Sequence, residues 1–395
     1  MILAVLFPRF ALAVAAGGRD ALLQGPVAVA PEPGREQMLG EVSAGAEAFG
    51  VHDGMRMGEA LARCPGLALI PPDPAGVEEA WEAAIARLEA AGAEVETARP
   101  GVAFLDSTGL RRLHGGSVEG VVSAVRRALV RPARIGGGPS RFCAAAAASR
   151  ARARRAELVH GGEEGARAYL APLPVALLRG HERTAALPDA LDLLGVRTLG
   201  ELAALPRAAV ADRFGAAGLL ALDLAQGRDR PLRTRRPGER LEERLELPES
   251  ASGSALEQAL GLLIDRLLAR RERRGRTLRA AVLAATLVEG GTWRERVCFR
   301  EALADADRMR LVLVPKLALL PAPADALRLS VERFGEAAAD QRPLVDEAAA
   351  VRNERLREAV CQARAAAGPD AALRVLSVDP DSRVPERRTL LTPFE

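Results

Sequence analysis

The chain has 395 residues, of which 49% are hydrophobic and 27% charged; this is enough for several folded domains and excludes a wholly disordered chain. Only 3% are aromatic, and Lys316 is the single lysine among 55 basic residues, so the other basic residues are arginines. Because the formal net charge is only +3, charge alone neither requires nor excludes a nucleic-acid partner.

Cysteines and histidines are few and scattered. There are four of each, with no CxxC spacing, which argues against structural zinc, an iron–sulfur cluster or a disulfide framework. We therefore expect no metal, no cofactor and a reducing, cytoplasmic setting. No apolar run is long enough to cross a membrane, so no membrane partner is expected. The apolar start of the chain lacks the leading basic residues of a signal peptide.

Short strands and helices alternate through the first 165 residues. The apolar runs Ile2–Phe7 and Val102–Leu105 predict buried strands, and the second ends in a turn at Asp106. Helices are predicted over 54–64, 77–91, 118–130 and 141–155. The last helix follows the glycine run 136–138, which is interpreted as a turn.

The block from 166 to 228 is predicted to be entirely helical. Two short helices meet at Gly195-Val196-Arg197-Thr198, the pattern of a helix-hairpin-helix. A glycine turn of this kind exposes backbone N–H groups that suit a phosphate oxygen, so we predict a DNA contact at these four residues. An ordinary corner between two helices is the alternative.

A basic stretch separates this block from the last predicted domain. Residues 228–240 hold six arginines against two acids and are interpreted as an exposed linker. Beyond it the predicted order is strand, helix, strand, strand, helix, strand, a compact α+β unit. The remaining residues contain a predicted helix near 353–367.

The order of these parts resembles the Y-family DNA polymerases. The motifs that carry the resemblance are Phe49-Gly50-Val51, Asp53-Gly54-Met55, Ala103-Phe104-Leu105-Asp106, Ser140-Arg141-Phe142, Leu194-Gly195-Val196-Arg197-Thr198 and Gln226-Gly227-Arg228-Asp229. The resemblance implies an α+β fold with palm, fingers and thumb, followed by a C-terminal β-α-β-β-α-β little finger. The implied boundaries are 1–14 and 76–165 for the palm, 15–75 for the fingers, 166–229 for the thumb, 230–241 for the basic linker, 242–340 for the little finger and 341–395 for a C-terminal extension.

The departures from this family concern its catalytic residues. The resemblance implies four metal-binding acids, whose positions here read Leu6, Pro8, Gly101 and Val102. Divalent cations need carboxylate oxygens, which these side chains lack. The positions implied to hold the triphosphate read Ala44, Glu47 and Ala145. Asp106 is the nearest remaining acid, and we interpret it as a turn cap.

The chain therefore resembles the catalytically inactive, ImuB-type branch of the Y family. The resemblance implies a non-enzymatic, DNA-binding scaffold for SOS-induced mutagenic translesion synthesis, located at the nucleoid. Its implied partners are the sliding clamp, an error-prone DnaE-type polymerase and an ImuA-like protein. The alternatives are an active Y-family polymerase with relocated metal ligands, or an unrelated enzyme that uses Gly136-Gly137-Gly138 as a phosphate loop.

Two basic stretches near the little finger are the predicted DNA-binding surfaces. One is the linker, and the other is 265–279, with seven arginines against two acids. A solvated helix face is the alternative interpretation of such a charge run. The predicted DNA-binding arginines are Arg235, Arg236, Arg270, Arg271, Arg273, Arg274 and Arg276.

A degenerate clamp-binding peptide follows the little finger. Gln341 would supply the leading hydrogen bonds, and Leu344 and Val345 the apolar anchors. A loop that leaves the last strand is the alternative.

Overall fold

The computed structural model describes residues 1–19, 22–32, 37–152, 154–235, 241–251, 253–288, 290–337, 347–368, 371–378 and 383–393. The chain divides into two compact units, residues 1–336 and 337–395.

The chain begins with the central strand of the palm-like domain and continues into a small fingers-like region. These elements are β1 (Ile2–Leu6), α1 (Phe10–Ala15), β2 (Val27–Val29), α2 (Ala44–Glu47), α3 (Met57–Arg63) and β3 (Ala68–Ile70). Strands β2 and β3 pair in parallel, and α2 and α3 close a small core beside them. The predicted helix at 54–64 is thus confirmed, over a shorter range.

The rest of the palm completes a five-stranded sheet. Its elements are α4 (Pro74–Ala90), β4 (Val95–Arg99), β5 (Val102–Asp106), α5 (Ser107–Leu110), α6 (Val118–Ala128), β6 (Arg134–Gly138), α7 (Arg141–Arg150) and β7 (Glu157–Leu158). The strand order is β4-β5-β1-β6-β7. Side chains of β1 alternate between the faces: Leu3 and Val5 join the core with α4 and α6, whereas Ala4 packs against α7. Strand β4 was not predicted.

The glycine run 136–138 lies inside β6 rather than in a turn, so the predicted turn and the phosphate-loop alternative are both wrong. All three residues are buried and pair with β1. A Cβ atom on Gly136 would lie 2.0 Å from the backbone nitrogen of Ala148, and one on Gly138 would lie 2.9 Å from Cys143 Sγ. The glycines therefore allow the alanine-rich α7 to pack directly against the sheet.

The thumb-like block is helical, as predicted. They are α8 (Gly162–Leu170), α9 (Leu187–Leu193), α10 (Leu199–Ala203) and α11 (Arg207–Ala225), with 3₁₀ turns between α8 and α9. Leu170, Leu178, Leu191 and Leu202 are buried in their common core, which also receives one side of α7. Helix α7 therefore packs against both the palm sheet and the helices of the thumb-like block.

The predicted little finger is confirmed. Its elements are β8 (Glu242–Ala251), α12 (Ser254–Ala269), β9 (Arg276–Leu287), β10 (Thr292–Leu303), α13 (Ala306–Leu317) and β11 (Ala324–Ala337). The strand order is β10-β9-β11-β8. Leu283, Val297 and Leu329 on one face of the sheet pack against α12 and α13. Because side chains alternate along a strand, the neighbouring positions point to the opposite side of the sheet. Helices α12 and α13 of the little finger do not pack on this second side, which we call the open face.

The second compact unit contains α14 (Glu347–Ala367) and an antiparallel hairpin of β12 (Leu373–Ser377) and β13 (Thr389–Pro393). The predicted helix near 353–367 is therefore present and begins earlier in the chain. The hairpin was not predicted.

Candidate functional site

The four positions where the Y-family pattern has acids lie together at one end of the palm sheet. Leu6 pairs with Val102 across β1 and β5. The backbone nitrogen of Phe7 donates to the carbonyl oxygen of Gly101 at 2.8 Å, and Pro8 follows directly. The fold thus brings these positions to one place, but their side chains supply no carboxylate.

Apolar side chains line the cleft beside this sheet end. The cleft has a volume of about 190 Å³ and lies between the sheet, α7 and the start of the thumb-like block. Leu6 and Val102 pack into an apolar cluster built on Ala4 and Phe104, and Leu232 of the linker joins the same cluster. Leu232 therefore packs against the palm instead of extending into solvent.

Two buried carboxylates lie near the cleft, and arginines engage both. The Glu96 carboxylate pairs with Arg230 at 2.6 Å and with Arg141 at 3.4 Å. Asp229 lies 3.8 Å from Arg141 and accepts a hydrogen bond from the backbone nitrogen of Phe142. The Arg141 guanidinium also lies 5.1 Å from the centre of the Phe104 ring. This network joins palm, thumb and linker.

The residues at the palm cleft do not fit a divalent cation. Among the described residues, no group of three His, Cys, Asp or Glu side chains could hold a metal ion. Glu96 and Asp229 would have to give up their arginine partners to coordinate one. Hard cations need several free oxygen ligands in one place.

The positions implied to hold a triphosphate carry the wrong charge or no polar group. Glu47 pairs with Arg9 at 2.6 Å. Ala145 lines the cleft with a methyl group. Ala44 begins α2, where Ser43 provides the cap. These side chains offer no cation to a phosphate.

Asp106 is a helix cap, as predicted. Its carboxylate accepts hydrogen bonds from the backbone nitrogen and hydroxyl of Thr108, at 3.0 and 2.8 Å, and lies 3.4 Å from the amino terminus. Partial burial works against the charged form, but these hydrogen bonds outweigh it and lower the pKa of Asp106.

His181 lines the cleft from the thumb side. Its Nδ1 atom is buried and makes no hydrogen bond with any residue that the structure describes. Burial lowers the pKa of His181, and the positive charges of Arg141 and Arg183 act in the same direction, against an opposing effect of Asp229. The imidazole is therefore neutral near neutral pH, and sequence reasoning gave it no role.

The backbone donors of the thumb hairpin are already engaged, so the predicted reason for phosphate binding there is wrong. The Glu201 carboxylate accepts from the backbone nitrogens of Arg197 and Thr198, at 2.7 and 3.0 Å, in a capping box. The nitrogens of Gly195 and Val196 donate to carbonyl oxygens of α9. DNA binding at this hairpin stays a prediction, which now rests on the Arg197 side chain, 79% exposed.

Two of the described linker arginines, Arg230 and Arg235, lie against the palm. Arg235 pairs with Glu82 at 2.9 Å and Glu89 at 2.7 Å, and its backbone nitrogen donates to the carbonyl oxygen of Val95. The prediction of an exposed linker is therefore wrong for Arg235, although its role in DNA binding stays a prediction. Arg236 lies outside the described residues.

The arginines around the α12–β9 turn differ in their availability. Arg270 pairs with Glu243. Arg273 donates to a carbonyl oxygen of the turn, and Arg276 lies over the Phe334 ring at 3.8 Å. Arg271 and Arg274 are exposed and make no side-chain ion pair or hydrogen bond with any described residue. These two are the arginines of the turn best placed to contact phosphate.

Sequence reasoning missed the arginines on the open face of the little finger. Arg244, Arg294, Arg296 and Arg328 lie on strands β8, β10 and β11 and alternate with residues of the core. The period-two pattern of β10, with Arg294 and Arg296 flanking Glu295, was the available signal.

The predicted clamp peptide cannot be placed. Gln341, Leu344 and Val345 all lie outside the described residues. None of the described helices combines the length and apolar character that a membrane-spanning helix needs.

Comparisons with known proteins agree with this fold. Residues 5–149 match the "IMS: impB/mucB/samB family". The chain is 32% identical to "Protein ImuB" of Caulobacter vibrioides over 350 residues, covering 86% of this chain and 73% of that protein. It is 29% identical to "DNA polymerase IV" of Dehalococcoides mccartyi over 276 residues, covering 68% of this chain and 70% of that protein.

A solved structure also shares the architecture. "DinB from Sulfolobus solfataricus" matches with a TM-score of 0.50 and 17% identity, covering 84% of this chain and 98% of that chain. That likeness concerns the fold alone. Together with the ImuB relative, it confirms the resemblance drawn from the sequence. The chain belongs to the ImuB-like, Y-family polymerase-like proteins.

Proposed function

We propose that this chain is a DNA-binding scaffold that does not itself synthesise DNA. The observation that carries the proposal is the pairing of Leu6 with Val102, at the sheet end where Y-family catalysis needs acids. Cation-assisted phosphoryl transfer needs carboxylates to hold the cations in line. Here two buried acids near the cleft, Glu96 and Asp229, are engaged by arginines.

Exposed arginines on several elements support DNA binding. Arg197 at the thumb hairpin and Arg271 and Arg274 beside the little finger can each approach a phosphate. Such contacts release condensed counterions and give affinity without sequence preference. We therefore expect affinity for primer–template DNA that falls steeply as the salt concentration rises.

The partners and the pathway belong to the same proposal. We propose a role in SOS-induced mutagenic translesion synthesis at the nucleoid for this chain, whose relatives include a protein named ImuB. In this role the chain bridges the sliding clamp, a DnaE-type error-prone polymerase and an ImuA-like protein. The peptide of Gln341, Leu344 and Val345 is the proposed clamp contact.

An active polymerase with relocated metal ligands is the second candidate, favoured by the relatives named DNA polymerase IV. Reconstitution separates the two. On clamp-loaded, lesion-containing DNA, we expect bypass only when the DnaE-type polymerase is present, and more bypass when this chain is added. Deletion of residues 341–345 should abolish the stimulation and clamp binding while leaving DNA binding intact. Bypass by this chain without the replicase would contradict the proposal.

A further inference from the structure

Helix α4 of the palm carries a row of glutamates that faces the little finger and the linker. Glu78, Glu82 and Glu89 fall on one side of the helix, and Glu79 lies beside them. We call these four residues the acidic row. Each makes an ion pair with an arginine from outside the palm.

The little finger supplies arginines from its open face. Glu78 pairs with Arg294 at 2.5 Å. Glu79 pairs with Arg328 at 2.6 Å and lies 4.0 Å from Arg244. These arginines come from three different strands of one sheet, so the acidic row holds the sheet as a whole.

The linker and a polar contact extend the same interface. Arg235 binds both Glu82 and Glu89. The hydroxyl of Thr292 donates to Asp73, the N-terminal cap of α4, at 3.1 Å. Linker and little finger are therefore both held to α4 by charged or polar contacts.

The arginines that bind carboxylates at this interface are chemically suited to bind phosphates. Guanidinium groups bind carboxylates and phosphates with the same forked geometry. A helix that presents carboxylates to successive arginines offers them a row of negatively charged oxygen acceptors, as a DNA backbone does. The ion pair of Glu78 with Arg294, whose side chains are 62% and 36% exposed, is individually weak, so a polyanion can replace it. Glu79 and Arg328 are less exposed, at 20% and 16%, and are the firmer contact of the row.

We propose that the acidic row is an internal substitute for DNA phosphates, so that docking of the little finger on α4 and binding of DNA to Arg244, Arg294 and Arg328 exclude each other. This inference rests on the proposed DNA-binding function. The new element is the autoinhibitory role that it assigns to α4. Where Glu79 meets Arg328, burial of its carboxylate raises the pKa of Glu79.

The test compares two variants with equal changes in charge. Glu78→Gln/Glu79→Gln weakens the acidic row, and Glu119→Gln/Glu164→Gln removes two exposed glutamates elsewhere that make no ion pair with a described residue. Binding of labelled duplex DNA is followed by fluorescence anisotropy at about 50 mM salt. We expect the first variant to bind about threefold to tenfold more tightly than the control variant. Equal affinity of the two variants would overturn the inference.

A crosslink provides the converse measurement. The variant Glu78→Cys/Arg294→Cys, in a chain that also carries Cys298→Ser and Cys361→Ser, is joined by a short bismaleimide or capped singly. The crosslinked protein should bind DNA at least about threefold more weakly than the capped form. Equal binding would contradict the exclusion. If even the wild-type chain binds no duplex at low salt, the proposed DNA-binding function fails together with the inference, whereas a binding wild type with silent variants contradicts the inference alone.

Discussion

Leu6 and Val102 lie directly opposite each other in the antiparallel pair of β1 and β5, at two positions where the Y-family pattern has an aspartate and a glutamate. Cross-strand neighbours on one face lie about 5 Å apart, so two charged carboxylates there would repel each other unless a cation lay between them. The apolar pair removes that repulsion and packs into the cluster around Phe104.

We first predict the effect of placing acids at positions 6 and 102. Leu6→Asp/Val102→Glu should lower the free energy of unfolding by about 2 kcal/mol at neutral pH, because the acids enter an apolar cluster without partners. The loss should shrink near pH 4, where carboxyls gain protons. Urea unfolding at both pH values measures it, with Leu6→Asn/Val102→Gln as the uncharged control. A double-acid variant as stable as the wild type at neutral pH would contradict the assignment of this cluster.

The second prediction concerns the buried network at the junction of palm, thumb and linker. Glu96→Gln leaves Arg141 with less compensating charge in a site where both side chains are less than one-tenth exposed, so it should cost about 3 kcal/mol of stability. Arg141→Met should cost a similar amount. The double variant should lose less than the sum, because Glu96 and Arg141 no longer leave each other unpaired, although Asp229 and Arg230 each lose one partner. Strictly additive losses in denaturant unfolding would show that the two residues act independently.

The third prediction is a pH dependence from His181. Its folded-state pKa is lowered, so the unfolded chain, with a pKa near the usual value of about 6.5, binds the proton more readily. The stability contributed by neutral His181 is therefore complete above that value and is lost as the pH falls towards the folded-state pKa. His181→Gln should flatten the decline of the melting temperature between about pH 7.5 and 5.5. Parallel curves for the wild type and the variant would rule this out.

The fourth prediction separates two kinds of arginine at the α12–β9 turn. Arg271→Gln/Arg274→Gln should weaken DNA binding and reduce the slope of log affinity against log salt by about two, with no change in melting temperature. Arg276→Gln should instead lower stability by about 1 kcal/mol, because it loses the contact with the Phe334 ring. If the first pair leaves the salt slope unchanged, these side chains do not contact phosphate.

Local patterns in the sequence predicted much of the fold because they reflect local constraints. The apolar run of β1 and the order of strands and helices in the little finger appear as expected. The glycine run of β6 was misread because its cause is nonlocal: only the packed structure reveals that α7 leaves no space for a Cβ on Gly136. Strand β4 was missed since its polar residues, among them Glu96, find buried partners from distant segments.

The features of the site that depend on residue identity could be predicted from the sequence. Those that depend on which side chains contact each other could not. The loss of acids at Leu6 and Val102 is visible in the sequence, and pairing of the two strands brings the positions together. That Arg235 is held by Glu82 and Glu89 is not visible, because a charge run in a sequence does not reveal which acids face it. The same limit applies to the thumb hairpin. There the Glu201 carboxylate accepts hydrogen bonds from the backbone nitrogens that we predicted to bind phosphate.

Primer extension by DNA-bound protein tests the central claim most directly. The chain is saturated with primer–template DNA, binding is verified by anisotropy in the same sample, and nucleotides are added with Mg²⁺ or Mn²⁺ beside an active Y-family polymerase. The proposed function predicts a fully bound primer that is not extended by even one nucleotide. Template-directed incorporation that disappears when Asp106, Glu96 or Asp229 of this chain is replaced by the corresponding amide would contradict it.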